Sequence, residues 1–195
     1  MTGLSVARSE FILGGQKSGK SRRAEMLAAA WLAQDAGNQA LMIATAQPWD
    51  DEMRQRIARH QVDRAERVPG MATLEEPLAI AEALLRSSQP NTLIVVDCLT
   101  LWLTNMLMPA GGCESNRPPV QSKHGLIAML SGAIVQLPGP VVLVGNEIGL
   151  GVIPMGREVR AFVDALGLLN QHVAATCERV TLMAAGLPLT LKGAL

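Results

Sequence analysis

The sequence predicts an α/β domain with a mostly parallel sheet and helices on both faces. Three observations carry this prediction. Apolar runs of strand length alternate with longer helix-like segments along 195 residues, the β-α order that builds a parallel sheet. The run Thr92–Asp97, TLIVVD, is continuous and β-branched rather than alternating, as in a strand buried on both faces. A glycine-rich stretch at 14–21 joins the first apolar run to a segment of good helix formers.

The elements follow in order. Residues 11–13 are a short apolar run entering Gly14 and Gly15. Residues 21–36 are rich in Ala and Leu, and Gly37-Asn38 is a stop signal. Residues 40–44 read as a strand. Pro48 then precedes Asp50 and Asp51, an acidic helix start that suits the helix dipole. In that helix Met53, Ile57 and His60 lie along one face, and Glu52 to Arg56 is a favourable i,i+4 pair. Thr73-Leu74-Glu75-Glu76 has the pattern of a capping box, predicting a helix from there to about Arg86. After TLIVVD, residues 99–108 read as a helix. Residues 109–119 hold Gly111-Gly112 and Pro118-Pro119 and read as a surface loop. Residues 126–137 are helical, Val141–Val144 is a third apolar strand, and 159–178 is a long helix. Residues 179–185 and 189–192 close the chain as strands. No internal repeat, low-complexity tract or long linker divides it. The expectation is one domain over 1–195, with 1–10 as an N-terminal extension.

Composition narrows the function. Lys+Arg and Asp+Glu are each 17, so the formal charge is zero. That argues against a basic groove for nucleic acid. Aromatics are 3% with no Tyr, which leaves little surface for base stacking. Charged residues are 17% against 49% hydrophobic, a balance that excludes intrinsic disorder. A chain of this length removes roughly 70% of its unfolded surface from water and needs no staple. Cys98, Cys113 and Cys177 form no CxxC, so a zinc knuckle or thioredoxin motif is not available. An odd cysteine count without a secretory segment points to a reducing compartment. No run reaches the roughly 18 apolar residues of a membrane helix. The expected location is the cytoplasm.

The sharpest feature is Gly14-Gly15-Gln16-Lys17-Ser18-Gly19-Lys20-Ser21, which matches G-x-x-x-x-G-K-[ST]. The glycines let the backbone curl so that several N–H groups point at one phosphate. The following helix adds positive potential at its N-terminus. Lys20 is placed to reach the β- and γ-phosphates, and the Ser21 hydroxyl to reach Mg²⁺. Asp97, ending TLIVVD, is the candidate for the second acidic position near Mg²⁺. The alternative reading is a glycine-rich turn plus a strand-end Asp that caps the next turn. The phosphate loop implies a nucleoside triphosphate. By itself it does not choose among a kinase, a nucleotidyltransferase and a GTPase or ATPase switch.

Further segments choose. They are GGQKSGKSRRAE (14–25), IATAQPWDDEMRQRIARHQVDR (43–64), TLEEP (73–77), VVDCLTLWLTN (95–105), GNEIGLGVIP (145–154) and LNQHVA (169–174). Together these resemble the bifunctional adenosylcobinamide kinase / adenosylcobinamide-phosphate guanylyltransferase family of cobalamin biosynthesis, over about 11–192. The resemblance implies a P-loop NTPase fold of RecA-like type, a trimer, and two reactions. In the first, ATP or GTP phosphorylates the hydroxyl of the aminopropanol arm of adenosylcobinamide. In the second, GMP passes from GTP to adenosylcobinamide phosphate through a GMP–histidine intermediate, giving adenosylcobinamide-GDP and pyrophosphate. The matching histidine is His60. The resemblance places GTP against the phosphate loop, against Ala44, Thr45 and Ala46, against Gln61, Val62, Asp63 and Arg64, against Glu75 and against Asp97. The implied partners are the corrinoid, its phosphate, GTP and ATP, with no nucleic acid and no membrane span.

The residues themselves agree. His60 stands among Arg56, Arg59 and Arg64. A neutral imidazole is a competent nucleophile toward phosphorus, and arginines would hold the triphosphate. The plainer reading of His60 and its arginines is a solvated helix face. His124 and His172 read as structural or solvent-facing. Asn146 and Glu147 follow the VVLV strand, where polar side chains suit substrate in a sheet-edge crevice. Trp102 reads as core packing. The chain departs from the family pattern at Lys17 (commonly Arg), at 65–72 (AERVPGMA, without a Trp), at Gly145 (commonly Ser or Thr) and at Met155-Gly156. Two rivals stand beside the bifunctional enzyme. One is a kinase without guanylyl transfer, the other a regulatory NTPase that transfers nothing to a small molecule.

Overall fold

The computed structural model describes residues 4–108, 123–152 and 154–194. The loop expected at 109–119 and Cys113 lie outside the described residues. Among the described residues, seven strands and six helices follow in this order: β1 (Ser9–Gly14), α1 (Lys20–Leu32), β2 (Gln39–Ala44), α2 (Asp51–Arg67), β3 (Ala72–Glu75), α3 (Ile80–Ser87), β4 (Thr92–Asp97), α4 (Leu99–Leu107), α5 (Lys123–Gln136), β5 (Val141–Val144), α6 (Arg157–Thr176), β6 (Arg179–Ala184) and β7 (Leu187–Lys192). They form one sheet in the order β3-β2-β4-β5-β1-β6-β7. Every neighbouring pair is parallel except β6 and β7, which form an antiparallel hairpin. The α/β, mostly parallel expectation holds.

Strand alternation sends side chains to two cores. Phe11, Leu13, Ile43, Ile94, Val96 and Leu143 face one cluster with α3, α4, α5 and α6. Ile12, Met42, Leu93, Val95, Val142 and Val144 face the other, with Ala24, Leu27 and Ala28 of α1. This is why β1, β4 and β5 read as unbroken apolar runs. Trp102 is buried as expected, and its Nε1 donates to Leu78 O at 2.8 Å. His124 and His172 are exposed.

One expected element is corrected. Residues 73–76 do not open a helix. Thr73, Leu74 and Glu75 belong to β3, whose Leu74 pairs with Ile43 of β2, and α3 begins only at Ile80. Pro77 is the physical reason, because the residue before a proline is driven out of the α region. Glu76 still caps, since its Oε1 accepts from the backbone N–H groups of Leu78 and Ala79 at 3.0 and 2.8 Å. In the first turn of α2 the ion pair formed is Asp51–Arg54 at 2.6 Å rather than the expected Glu52–Arg56. The Asp50 cap is present, accepting from Met53 N–H at 2.7 Å.

The end of β1 away from the phosphate loop is held by charge. Glu10 is fully buried. Its Oε1 accepts from Arg23 Nε at 3.2 Å and from Thr181 Oγ1 at 2.8 Å, and its Oε2 from Arg179 Nη1 at 3.1 Å. One carboxylate thus ties α1 and β6 to β1.

Cys98 and Cys177 are free and buried. Burial pushes both thiols from 9.0 up to about 12. A group whose folded value is raised contributes stability that is complete below its unfolded value and is lost as pH climbs through the folded one. Unfolding free energy, measured by chemical denaturation, should therefore fall between pH 9 and 12. Cys177→Ala should flatten part of that slope. An unchanged slope would contradict the burial argument.

Candidate active site

The carboxyl ends of the parallel strands gather the candidate residues. Gly14 ends β1 with φ +153, and a Cβ there would lie 2.5 Å from Met183 O and 2.6 Å from Ser18 Oγ. Only glycine lets the loop leave the strand at this point. Gly19 caps α1 in the left-handed region at φ 98, with no side-chain cap and no acid in the first turn. The first N–H groups of α1 are thus left for an anion, as a phosphate site requires.

Lys20 is buried, and its Nζ donates to Gly15 O at 2.6 Å and Ser18 Oγ at 3.5 Å. The ammonium folds back into its own loop. Burial lowers its pKa below the usual 10.5; Asp97 acts in the opposite direction and Arg56 acts with burial. Both residues are therefore within electrostatic reach of Lys20. Ser21 and Asp97 are half-buried.

After β2, Thr45 is engaged within the protein. The Thr45 hydroxyl donates to Cys98 O at 2.7 Å and accepts from Cys98 N–H at 2.8 Å. Its carbonyl accepts from Asn105 Nδ2 at 2.8 Å, and its N–H donates to Asp97 O at 3.2 Å. Thr45 is fully buried and locks the ends of β2 and β4 together.

α2 carries His60 and is an unusual helix here, for none of its 17 residues is buried. Polar contacts tether it instead. Arg67 bonds Glu25 of α1 at 2.8 Å and Asp63 at 3.2 Å. Arg64 Nη2 donates to Thr73 Oγ1 at 3.2 Å, and Gln61 Nε2 approaches Glu75 Oε1 at 3.5 Å. Gln61, Arg64 and Ala65 line a cleft of about 310 Å³ with Met71, Thr73 and Glu75. The predicted stretch 61–64 is thereby divided. Gln61 and Arg64 face the cleft with Glu75, Asp63 turns to Arg67, and Val62 is 60% exposed.

Phosphate loop and cleft stand apart at the sheet. β3 and β1 are separated by β2, β4 and β5, which at ~4.8 Å per strand is about 19 Å. Arg56, His60 and Arg64 follow one another at four-residue spacing along one face of α2, and Arg64 lines the cleft.

Sequence reasoning missed Met71 and Thr73, hidden by the capping-box misreading, and Asn170. Asn170 is a buried amide on the apolar stripe of Leu166, Leu169 and Val173 in α6. That lone polar residue at core spacing was the available signal. The departure at Gly145 has a local cause, since a Cβ there would lie 2.9 Å from the Phe11 ring. Among the described residues no group of three or more His, Cys, Asp or Glu could hold a metal ion.

Comparison with known proteins agrees with this geometry. A family model described as cobinamide kinase / cobinamide phosphate guanyltransferase matches residues 10–191. The bifunctional adenosylcobalamin biosynthesis protein CobP of Pseudomonas aeruginosa is 46% identical over 184 residues, spanning 94% of this chain and 97% of the relative. CobU of Escherichia coli is 34% identical over 186 residues, spanning 93% and 98%. Among solved structures, the flagellar accessory protein FlaH of Methanocaldococcus jannaschii has a TM-score of 0.51 at 11% identity, covering 97% of this chain and 80% of that one. A Pyrococcus horikoshii protein has 0.52 at 10%, covering 99% and 90%. These two bear on the fold alone.

Arg67→Met strands the Glu25 carboxylate, which is 3% exposed, without its partner. The expected cost is about 1–3 kcal/mol by denaturant unfolding. Amide exchange should speed up along α2 more than along α1. Equal protection of α2 in the variant would refute the tether.

Proposed function

The chain belongs to the cobinamide kinase / cobinamide phosphate guanyltransferase family, and on that premise we propose how its residues divide the two reactions. It is a bifunctional enzyme of adenosylcobalamin biosynthesis, phosphorylating cobinamide and then transferring a guanylyl group to the phosphate, with ATP and GTP as substrates.

The proposed phosphate site is the loop Gly14–Gly19 with Lys20 and the N-terminus of α1. Phosphate oxygens would draw Lys20 Nζ away from Gly15 O and restore full charge pairing to a buried ammonium. Ser21 and Asp97 fit Mg²⁺, which takes hard oxygen ligands and usually binds through one or two protein groups plus substrate phosphates. When bound, that ion would neutralise charge on the transferring phosphate. His60 is the proposed guanylyl acceptor. Its imidazole nitrogen attacks the α-phosphorus of GTP, an N–P bond forms, the bond to the β-phosphate oxygen breaks and pyrophosphate leaves. A phosphate oxygen of cobinamide phosphate then attacks the same phosphorus and frees His60. Gln61, Arg64 and Glu75 are proposed to hold the nucleotide on the cleft side. Ala44 and Ala46 contribute backbone there, and Thr45 holds the strand ends.

The observation that carries this reading is the phosphate loop itself: Gly14 leaves β1 where no Cβ fits, and Lys20 Nζ lies against Gly15 O beside the uncapped N-terminus of α1. We further assign one domain over 1–195, a cytoplasmic location and a homotrimer. In support of assembly, Leu187, Leu189 and Leu191 share one face of edge strand β7 and are each more than half exposed.

Incubation with GTP labelled at the α-phosphate should leave acid-labile label on the protein. His60→Ala should abolish that label while the kinase step survives. Lys20→Ala should lower cobinamide phosphorylation by about 10²-fold or more. Label that persists in His60→Ala would overturn the assignment.

A further inference from the structure

Strand β5 lies between β1, which carries the phosphate loop, and β4, which carries Asp97. The chain leaving β5 therefore emerges between the two parts of the proposed phosphate site. Backbone hydrogen bonds fix it there. Gly145 N–H donates to Ile12 O at 3.0 Å, and Glu147 N–H to Gly14 O at 3.1 Å. Asn146 N–H donates to Thr100 Oγ1 at 2.9 Å. Glu147 is thus bonded to the first residue of the phosphate loop. Its side chain lines a cleft of about 370 Å³ together with Gly15, Gln16, Lys17 and Ser18.

The carboxylate is also held in place. Its Oε1 accepts from Gly149 N–H at 3.1 Å and its Oε2 from Asn170 Nδ2 at 3.3 Å. The same Nδ2 donates to Asn146 O at 3.0 Å. Asn170 is 5% exposed, and its Oδ1 has no hydrogen-bond partner among the described residues. A buried amide left half-satisfied costs stability, so what this one holds is the loop and the carboxylate. No cation pairs with Glu147 among the described residues. Each of its oxygens keeps acceptor capacity. Of the other carboxylates at this edge, Glu75 is approached by Gln61 and Glu76 accepts from the N–H groups of Leu78 and Ala79; Asp97 is the residue proposed above for the metal.

We propose that Glu147 is the general base of the phosphoryl-transfer step and that Asn170 is its positioning residue. The proposal rests on the reading of the phosphate loop as the kinase site. The substrate hydroxyl gives its proton to the Glu147 carboxylate while its oxygen bonds to the γ-phosphorus. The bond from that phosphorus to the β-phosphate oxygen breaks, and the electron pair leaves with the nucleoside diphosphate. The proton passes to water when the products depart.

The test uses the full chain in two assays. One starts from adenosylcobinamide, the other from adenosylcobinamide phosphate with GTP. Glu147→Gln should lower kcat for phosphorylation by about 10²-fold or more, with the nucleotide KM within about twofold. Glu147→Asp should recover part of that loss. Asn170→Ala should lower kcat less, and adding it to Glu147→Gln should cost little more, because the two act as one unit. The second assay should fall far less than the first. An unchanged kcat in Glu147→Gln, or equal losses in both assays, overturns the proposal. Lys20→Ala in the first assay separates the premises. If it leaves phosphorylation intact, the kinase-site reading fails and Glu147 fails with it. If it abolishes phosphorylation and Glu147→Gln does not, only Glu147 fails.

Discussion

Strand β1 turns into the phosphate loop at a point where no side chain fits. The position a Cβ would take at Gly14 is occupied from one side by Met183 O of β6 and from the other by Ser18 Oγ. The loop is therefore wedged between the next strand and its own returning end. Much else follows from that closure. Ser18 is buried, Lys20 folds back onto Gly15 O, and α1 starts with its N–H groups uncapped. Gly14 O is also where the chain leaving β5 attaches through Glu147. The loop holds its own lysine against Gly15 O, in the shape proposed above for an anion site.

The rest of the site is built more loosely. At the far end of β1 the Glu10 carboxylate is buried and bonded by Arg23, Arg179 and Thr181, so the base of the sheet is fixed. α2 buries none of its residues and is held by polar side chains: Arg67 reaches the buried Glu25 of α1, while the Arg64–Thr73 and Gln61–Glu75 contacts are exposed. Exposed polar contacts shift at small cost, and the proposed guanylyl acceptor His60 sits on this largely exposed helix. Phosphate loop and Glu75 cleft lie roughly 19 Å apart along the sheet, and α2 carries Gln61 and Arg64 on the cleft side.

The sheet was legible in the sequence because its central strands are apolar on both sides. TLIVVD and VVLV have no other comfortable place, and both were found at their observed bounds. The phosphate loop was legible because a curled backbone and an uncapped helix start demand specific residues at specific spacing. Elsewhere local pattern misled. TLEE offers a capping box as well as a strand, and only the neighbouring edge of β2 together with Pro77 decides for the strand. Thr45 fell within a nucleotide-binding stretch, yet its hydroxyl is consumed by Cys98 across the sheet, a contact over 53 residues that no local rule reports. The aliphatic composition hid Asn170, because one amide on an apolar stripe reads as noise until its bonds to the Asn146–Glu147 turn are seen.

Zero net charge thus belongs to a protein that concentrates its charge locally, in one lysine, one set of helix N–H groups and the arginines of α2. The most direct measurement of the account is a structure with a non-hydrolysable GTP analogue. The account predicts phosphates inside the loop 14–21, Lys20 Nζ turned from Gly15 O onto a phosphate oxygen, and an imidazole nitrogen of His60 about 3–3.5 Å from the α-phosphorus. A triphosphate bound away from that loop, with Lys20 still on Gly15 O, would contradict it.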